Sequence, residues 1–124
     1  MGNIIKPVCS CKAPFKDLFL GCGKMDYMKV CYVPGVCMNC GTISKTNILD
    51  KEHPCKKCKN EMIVLGEVIS FEIATEHIYS PPHYVFTWGI QSMLDRTYVL
   101  ENKLYCCPVC KTENLIFEDQ GCWD

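Results

Sequence analysis

Two Cys-x-x-Cys pairs stand fourteen residues apart in this chain: Cys37-Met38-Asn39-Cys40, followed by Gly41, and Cys55-Lys56-Lys57-Cys58. Two residues between cysteines let both sulfurs of one tight turn point at a single ion, and two such turns together supply four tetrahedral thiolates. A third pair, Cys107-Pro108-Val109-Cys110, has no pair downstream, because Cys122 stands alone. Its missing ligands must come from elsewhere, and the N-terminal Cys9-Ser10-Cys11 is the best supplier. Cys22, Cys106 or Cys122 in place of one of these four is the competing assignment.

Sulfur also decides how such a chain is held together. Its 124 residues have room for one compact domain or two very small ones, and the 48% hydrophobic content includes twelve cysteines. Aliphatic packing is correspondingly thin, so disulfides or metal should supplement it. Compartment separates the two. Residues 1–10 contain no apolar run of signal-peptide length, Lys6 stands where a myristoylation motif wants Ser or Thr, and Glu67 cuts the best apolar stretch, Met62 to Ser70. No segment reaches the roughly 18 apolar residues of a membrane span. The expectation is a reduced, cytoplasmic setting, in which paired cysteines bind metal.

Gly and Pro cut the chain into short pieces that favour strands over helices. Strands are expected at Ile4–Val8, Phe15–Leu20, Tyr27–Val33, Met62–Leu65, Val68–Ala74, Tyr98–Leu100 and Leu115–Phe117. Ile43–Glu52 reads as a connecting excursion and Thr75–Thr87 as an aromatic loop with His77, Tyr79, His83 and Tyr84. One short helix is expected within Trp88–Arg96, where Ile90, Met93 and Leu94 fall at helical spacing.

The segment Val36-Cys37-Met38-Asn39-Cys40-Gly41 with Pro54-Cys55-Lys56-Lys57-Cys58 resembles a zinc ribbon, of the rubredoxin-like group of zinc fingers, over roughly residues 32–66. The whole arrangement is similar to small bacterial proteins with two zinc-ribbon knuckle sets. In that superfamily the ion is structural, and the scaffold serves nucleic-acid contacts, protein contacts or a larger assembly. The expected fold is therefore small, mostly β and metal-stabilised, with two zinc-ribbon-like sites and at most one or two short helices. One compact unit, 1–124, would contain an inner ribbon (32–66), a discontinuous outer ribbon (1–31 with 98–124) and a connecting segment (67–97). Two Zn2+ ions are expected, one on Cys37, Cys40, Cys55 and Cys58 and one on Cys9, Cys11, Cys107 and Cys110.

Of the remaining cysteines, Cys31 reads as a small buried hydrophobe, Cys22 and Cys122 as exposed and oxidisable, and Cys106 as a spare thiol or a neighbouring ligand. His53 reads as a solvent-facing loop residue, since its tetrad is already complete. His77 and His83 lie near Glu72 and Glu76, but no nucleophile elbow, HExxH or phosphate loop accompanies them, so no catalytic residue is assigned.

Charge is uneven. Residues 1–60 carry ten basic against four acidic residues, or +6, and residues 61–124 three against ten, or −7. Each tetrathiolate around a divalent ion adds about −2. Lys51, Lys56, Lys57 and Lys59 gather at the second knuckle, either to meet phosphates or as a solvated face balancing sulfur charge. The reading is a non-enzymatic zinc module that contacts another macromolecule, a protein before a nucleic acid, with no membrane and no small-molecule substrate. A nucleic-acid-binding ribbon, a thiol redox sensor and a rubredoxin-like iron electron carrier are the alternatives.

Overall fold

The computed structural model describes residues 2–22, 29–76, 81, 83–90, 93 and 95–123. Among them the fold is mostly β with one short helix and two tetra-cysteine clusters.

The larger sheet grows from β1 (Gly2–Cys9), in which Ile5, Pro7 and Cys9 point inward while Lys6 is exposed. This alternation suits a strand packed on one face. On one side β1 pairs antiparallel with β2 (Leu18–Gly21), and on the other with β9 (Leu115–Trp123), from Gly2 opposite Trp123 to Cys9 opposite Leu115. β2 meets β3 (Tyr32–Cys37), and β3 pairs along its length with β4 (Thr42–Asn47) and with the two-residue β5 (Ile63–Val64). The order is β4-β3-β2-β1-β9, so residues from both ends of the sequence share the sheet.

A three-stranded sheet lies beside it, with β8 (Arg96–Glu101) central between β6 (Glu67–Ser70) and β7 (Tyr84–Gly89). Thr97, Tyr98, Val99 and Leu100 are all buried, as a central strand covered on both faces requires. Tyr98 packs against Phe86 with ring centroids 5.9 Å apart and donates its hydroxyl to the Leu65 carbonyl. Gly66 follows at φ +83°, and a Cβ there would overlap the Tyr98 phenol. One apolar cluster joins the two sheets, bringing Ile5, Leu20, Val33 and Leu115 together with Phe86, Tyr98 and Leu100.

Several expected elements differ. The alternation from Val68 to Ala74 is not one strand: β6 stops at Ser70 and α1 (Phe71–Glu76) follows. Ser70 Oγ accepts the Ile73 N–H at 3.3 Å, a helix cap that overrides a period-two pattern over so short a stretch. The helix expected within Trp88–Arg96 is not seen among the described residues of that span. Trp88 and Gly89 end β7, Arg96 begins β8, and between them the Met93 N–H reaches the Ile90 carbonyl at 3.0 Å, with Asp95 at φ +64°. Ile90 and Met93 thus belong to the connection between the paired strands β7 and β8. Tyr84–Thr87, read as loop, belongs to β7, in keeping with the strand preference of aromatic and β-branched residues. Ile43–Asn47, read as connection, lies in β4. β2 begins only at Leu18, after the Phe15 N–H has closed a turn on the Ala13 carbonyl. Tyr27, His77, Tyr79 and Leu94 lie outside the described residues.

Candidate metal centres

The inner cluster is built where β3 turns into β4. Cys37 ends β3, the turn carries Met38 to Cys40, and Gly41 at φ +71° restores the chain to Thr42. The Gly41 N–H donates to the Cys37 carbonyl at 2.9 Å, and the Cys40 N–H points at Cys37 Sγ at 3.4 Å. The second turn is built in the same way. The Cys55 N–H meets the Asn60 carbonyl at 2.8 Å while the Lys59 N–H meets the Cys55 carbonyl at 2.9 Å, so the loop is closed from both sides.

The outer cluster repeats this construction with sequence-distant parts. The Cys107 N–H meets the Thr112 carbonyl and the Lys111 N–H meets the Cys107 carbonyl, each at 2.9 Å. Tyr105 and Leu115 exchange backbone bonds just outside, and because Leu115 lies opposite Cys9 in the β1–β9 pair, the knuckle arrives beside Cys9. The Cys9-Ser10-Cys11 turn closes with the Lys12 N–H on the Cys9 carbonyl at 2.9 Å. The residue after each of the four turns has positive φ: Lys12, Gly41, Lys59 and Lys111. Left-handed backbone costs a non-glycine residue roughly 1–2 kcal/mol, so three lysines there mark turns held by their surroundings.

These turns gather Cys37, Cys40, Cys55 and Cys58 in one group and Cys9, Cys11, Cys107 and Cys110 in the other, the sulfurs of each lying within 4.8 Å of one another. The Cys37–Cys58 sulfurs are 3.5 Å apart, Cys9–Cys110 3.6 Å and Cys11–Cys107 3.8 Å. A disulfide requires about 2.05 Å. A tetrahedron of thiolates with metal–sulfur bonds of roughly 2.3 Å has edges of about 3.8 Å. Both groups can therefore hold a metal ion, and none of the eight thiols is in a disulfide.

The sulfurs within each group are unlike. Backbone N–H groups of Cys58 and Lys57 draw the Cys55 thiol down to about 6, and the Thr112 hydroxyl and N–H do the same for Cys110. Neighbouring sulfur, Cys58 first, pushes Cys40 up to about 12, and burial pushes Cys107 to about 12. Each group thus contains sulfur that hydrogen bonds favour as thiolate, Cys58 beside Cys55 in the inner group, and a bound cation would favour ionisation of the rest. Two supporting hydroxyls carried no evident sequence signal: Thr112 Oγ1 lies 3.0 Å from Cys110 Sγ, and Thr42 Oγ1 lies 3.9 Å from Cys55 Sγ. Only the hairpin geometry shows which sulfur each threonine reaches.

Cys22, Cys31, Cys106 and Cys122 join neither group. Cys31 is buried, and burial pushes its thiol up to about 12. Cys22 was expected to be exposed between its glycines, but it is fully buried where β2 runs into the core, so it is no accessible thiol. Cys122 is exposed and Cys106 half-buried beside Cys107 of the outer group. His53 serves the scaffold: its Nε2 lies 3.0 Å from the Asn47 carbonyl, and its N–H donates to the Glu61 carboxylate, tying the second turn to the end of β4. His83 is exposed near α1, and His77 lies outside the described residues.

The two groups touch. Lys111 Nζ donates to the Met38 carbonyl, and a Cβ on Gly41 would stand 3.4 Å from Val109 Cγ2, so the first knuckle of the inner group rests on the outer knuckle. No protein-family model matches the chain, and neither the curated proteins nor the solved structures contain a match to it.

Proposed function

We propose that the chain is a non-catalytic zinc module in which two structural Zn2+ ions clamp the fold so that it can engage another protein in the cytoplasm. The observation that carries this reading is the pair of four-sulfur groups with tetrahedral spacing. Four thiolates complete the preferred coordination of zinc and leave no position for water or substrate, which is the pattern of a structural rather than a catalytic ion. Two zinc tetrathiolate centres would add about −4 to a formal charge of −1, so a long polyanion meets an acidic molecule. That favours a protein over a nucleic acid.

Iron in the same four sulfurs is the rival that the donor set itself admits. Elemental analysis combined with native mass spectrometry of anaerobically purified protein separates the two. Two zinc ions per chain and no visible absorption band are expected. Stoichiometric iron with a visible thiolate band would replace the clamp by an electron carrier, and a metal-free folded chain would end the reading altogether.

A further inference from the structure

Between the two cysteine groups lies a cavity of about 410 Å³, which Cys55 of the inner group helps to line. Phe15, Ile43 and Val109 give it apolar walls, Lys16, Lys56 and Lys57 also line it, and no carboxylate does so among the described residues. The three lysines are exposed, and none has an ion-pair partner among the described residues. Val109, at the tip of the outer knuckle, leaves 49% of its surface in solvent. Both knuckles fix the shape of this cavity, because Gly41 and Val109 line it and touch each other.

We infer that this cavity is a docking site for a short acidic peptide segment of a partner protein, which inserts one bulky apolar side chain between flanking Asp or Glu residues. The inference rests on the protein-binding reading above and names its partner class. The volume lies within the range of small recognition pockets, roughly 300–1,000 Å³. An apolar centre inside a charged rim is the usual anatomy of a recognition hot spot. Charge complementarity selects the occupant: unpaired ammonium groups in the lining attract carboxylates, while the apolar walls accept a Leu or Phe anchor. A nucleic-acid strand is disfavoured because it needs a continuous basic track with exposed stacking rings. Here the single aromatic, Phe15, is half-buried.

The test pans a phage-displayed random 12-residue peptide library on the zinc-loaded full chain, with zinc content measured on each sample. Enriched peptides are expected to centre Leu, Phe or Trp among acidic residues. A synthetic copy should lose about tenfold or more in affinity with Lys56→Glu/Lys57→Glu, as for close charge pairs, and comparably with Val109→Asp. Glu118→Lys, on β9 and away from the cavity, should leave binding unchanged. Enriched peptides that lack acidic residues, or that bind Lys56→Glu/Lys57→Glu as well as the parent chain, would overturn the inference. So would an absence of enrichment on fully zinc-loaded protein, or stronger binding of a 12-nucleotide poly-uridine RNA. Failure to retain zinc in the parent protein instead removes the module reading, so the two failures are told apart.

Discussion

The two cysteine groups have the same chemistry and opposite relations to the rest of the molecule. The inner group draws its sulfurs from residues 37 to 58 and forms a satellite cluster in which, among the described residues, Met62 is the only other buried member. The outer group joins sulfurs 101 and 96 residues apart, and Cys9 and Cys107 belong to the main apolar cluster that unites both sheets. By loop-closure entropy alone, constraining about a hundred residues rather than about twenty adds only some 1.4 kcal/mol. The larger difference is therefore burial. Losing an inner ligand opens a corner of the fold, whereas losing an outer one opens its centre.

Substitution separates them most strongly. Cys107→Ser removes a metal ligand and leaves a hydroxyl at a position with no solvent exposure, beside Cys9 and Leu115. The expected result is loss of the cooperative thermal transition, since a structural zinc site contributes on the order of 10 kcal/mol and the buried polar group adds a further cost. Cys40→Ser lies at the half-buried satellite and should be milder. Amide exchange is expected to accelerate across residues 37–62 while the β1–β9 pair stays protected, with one zinc retained per chain. Equal global unfolding of both variants, followed by circular dichroism and exchange, would erase the distinction between corner and centre.

How readily the two groups could be read from the sequence follows the same division. Cys-x-x-Cys spacing is a local signal, so the inner ligands were visible within one short segment. The outer group needed a long-range pairing, hinted at only by the unpartnered Cys107–Cys110 turn and the Cys9-Ser10-Cys11 turn that ends β1. Between the groups the reading was weakest. Phe71 and Ile73 are 58% and 48% exposed on a six-residue helix, so their apolar character reported neither strand nor core. Ile90 and Met93 mimicked a helix because a three-residue spacing alone does not separate a helical turn from the connection between two paired strands. Cys22 misled because flanking glycines suggest a loose loop, whereas Gly21 closes β2 inside the sheet.

Proton competition gives a weaker contrast within the metal-free chain. Cys55 and Cys110 have folded-state values near 6, below the ordinary thiol value of 9.0, because N–H and hydroxyl groups solvate their thiolates. Between these values the unfolded chain binds the proton and the folded chain does not, so both thiolates stabilise the fold above pH 9 and this support is lost as pH falls toward 6. Cys31, Cys40 and Cys107 are raised to about 12, so their contribution has the opposite slope above pH 9. Chelated, reduced protein should therefore melt highest near pH 9 and lower at pH 6 and pH 11. A melting temperature that falls steadily from pH 6 to pH 9 would show that the turn amides do not solvate the sulfurs as described.

The smallest expected effect concerns the contact between the groups. Lys111 stands at φ +62° immediately after the outer knuckle, and its ammonium reaches the Met38 carbonyl in the inner one. Truncation by Lys111→Ala keeps every sulfur ligand and removes this bridge, at a stability cost of about 1 kcal/mol, as for an ordinary hydrogen bond. Its informative consequence is on metal release. In the parent chain, stripping one ion loosens a turn that supports the other, so graded chelation should remove the two ions in overlapping steps. In Lys111→Ala the inner ion, held at the satellite corner, should leave at lower chelator concentration and the outer ion should follow separately. Native mass spectrometry counts the one-ion intermediate directly. An intermediate no more populated in the variant than in the parent would mean that the Gly41–Val109 packing, rather than the lysine, couples the corner to the centre.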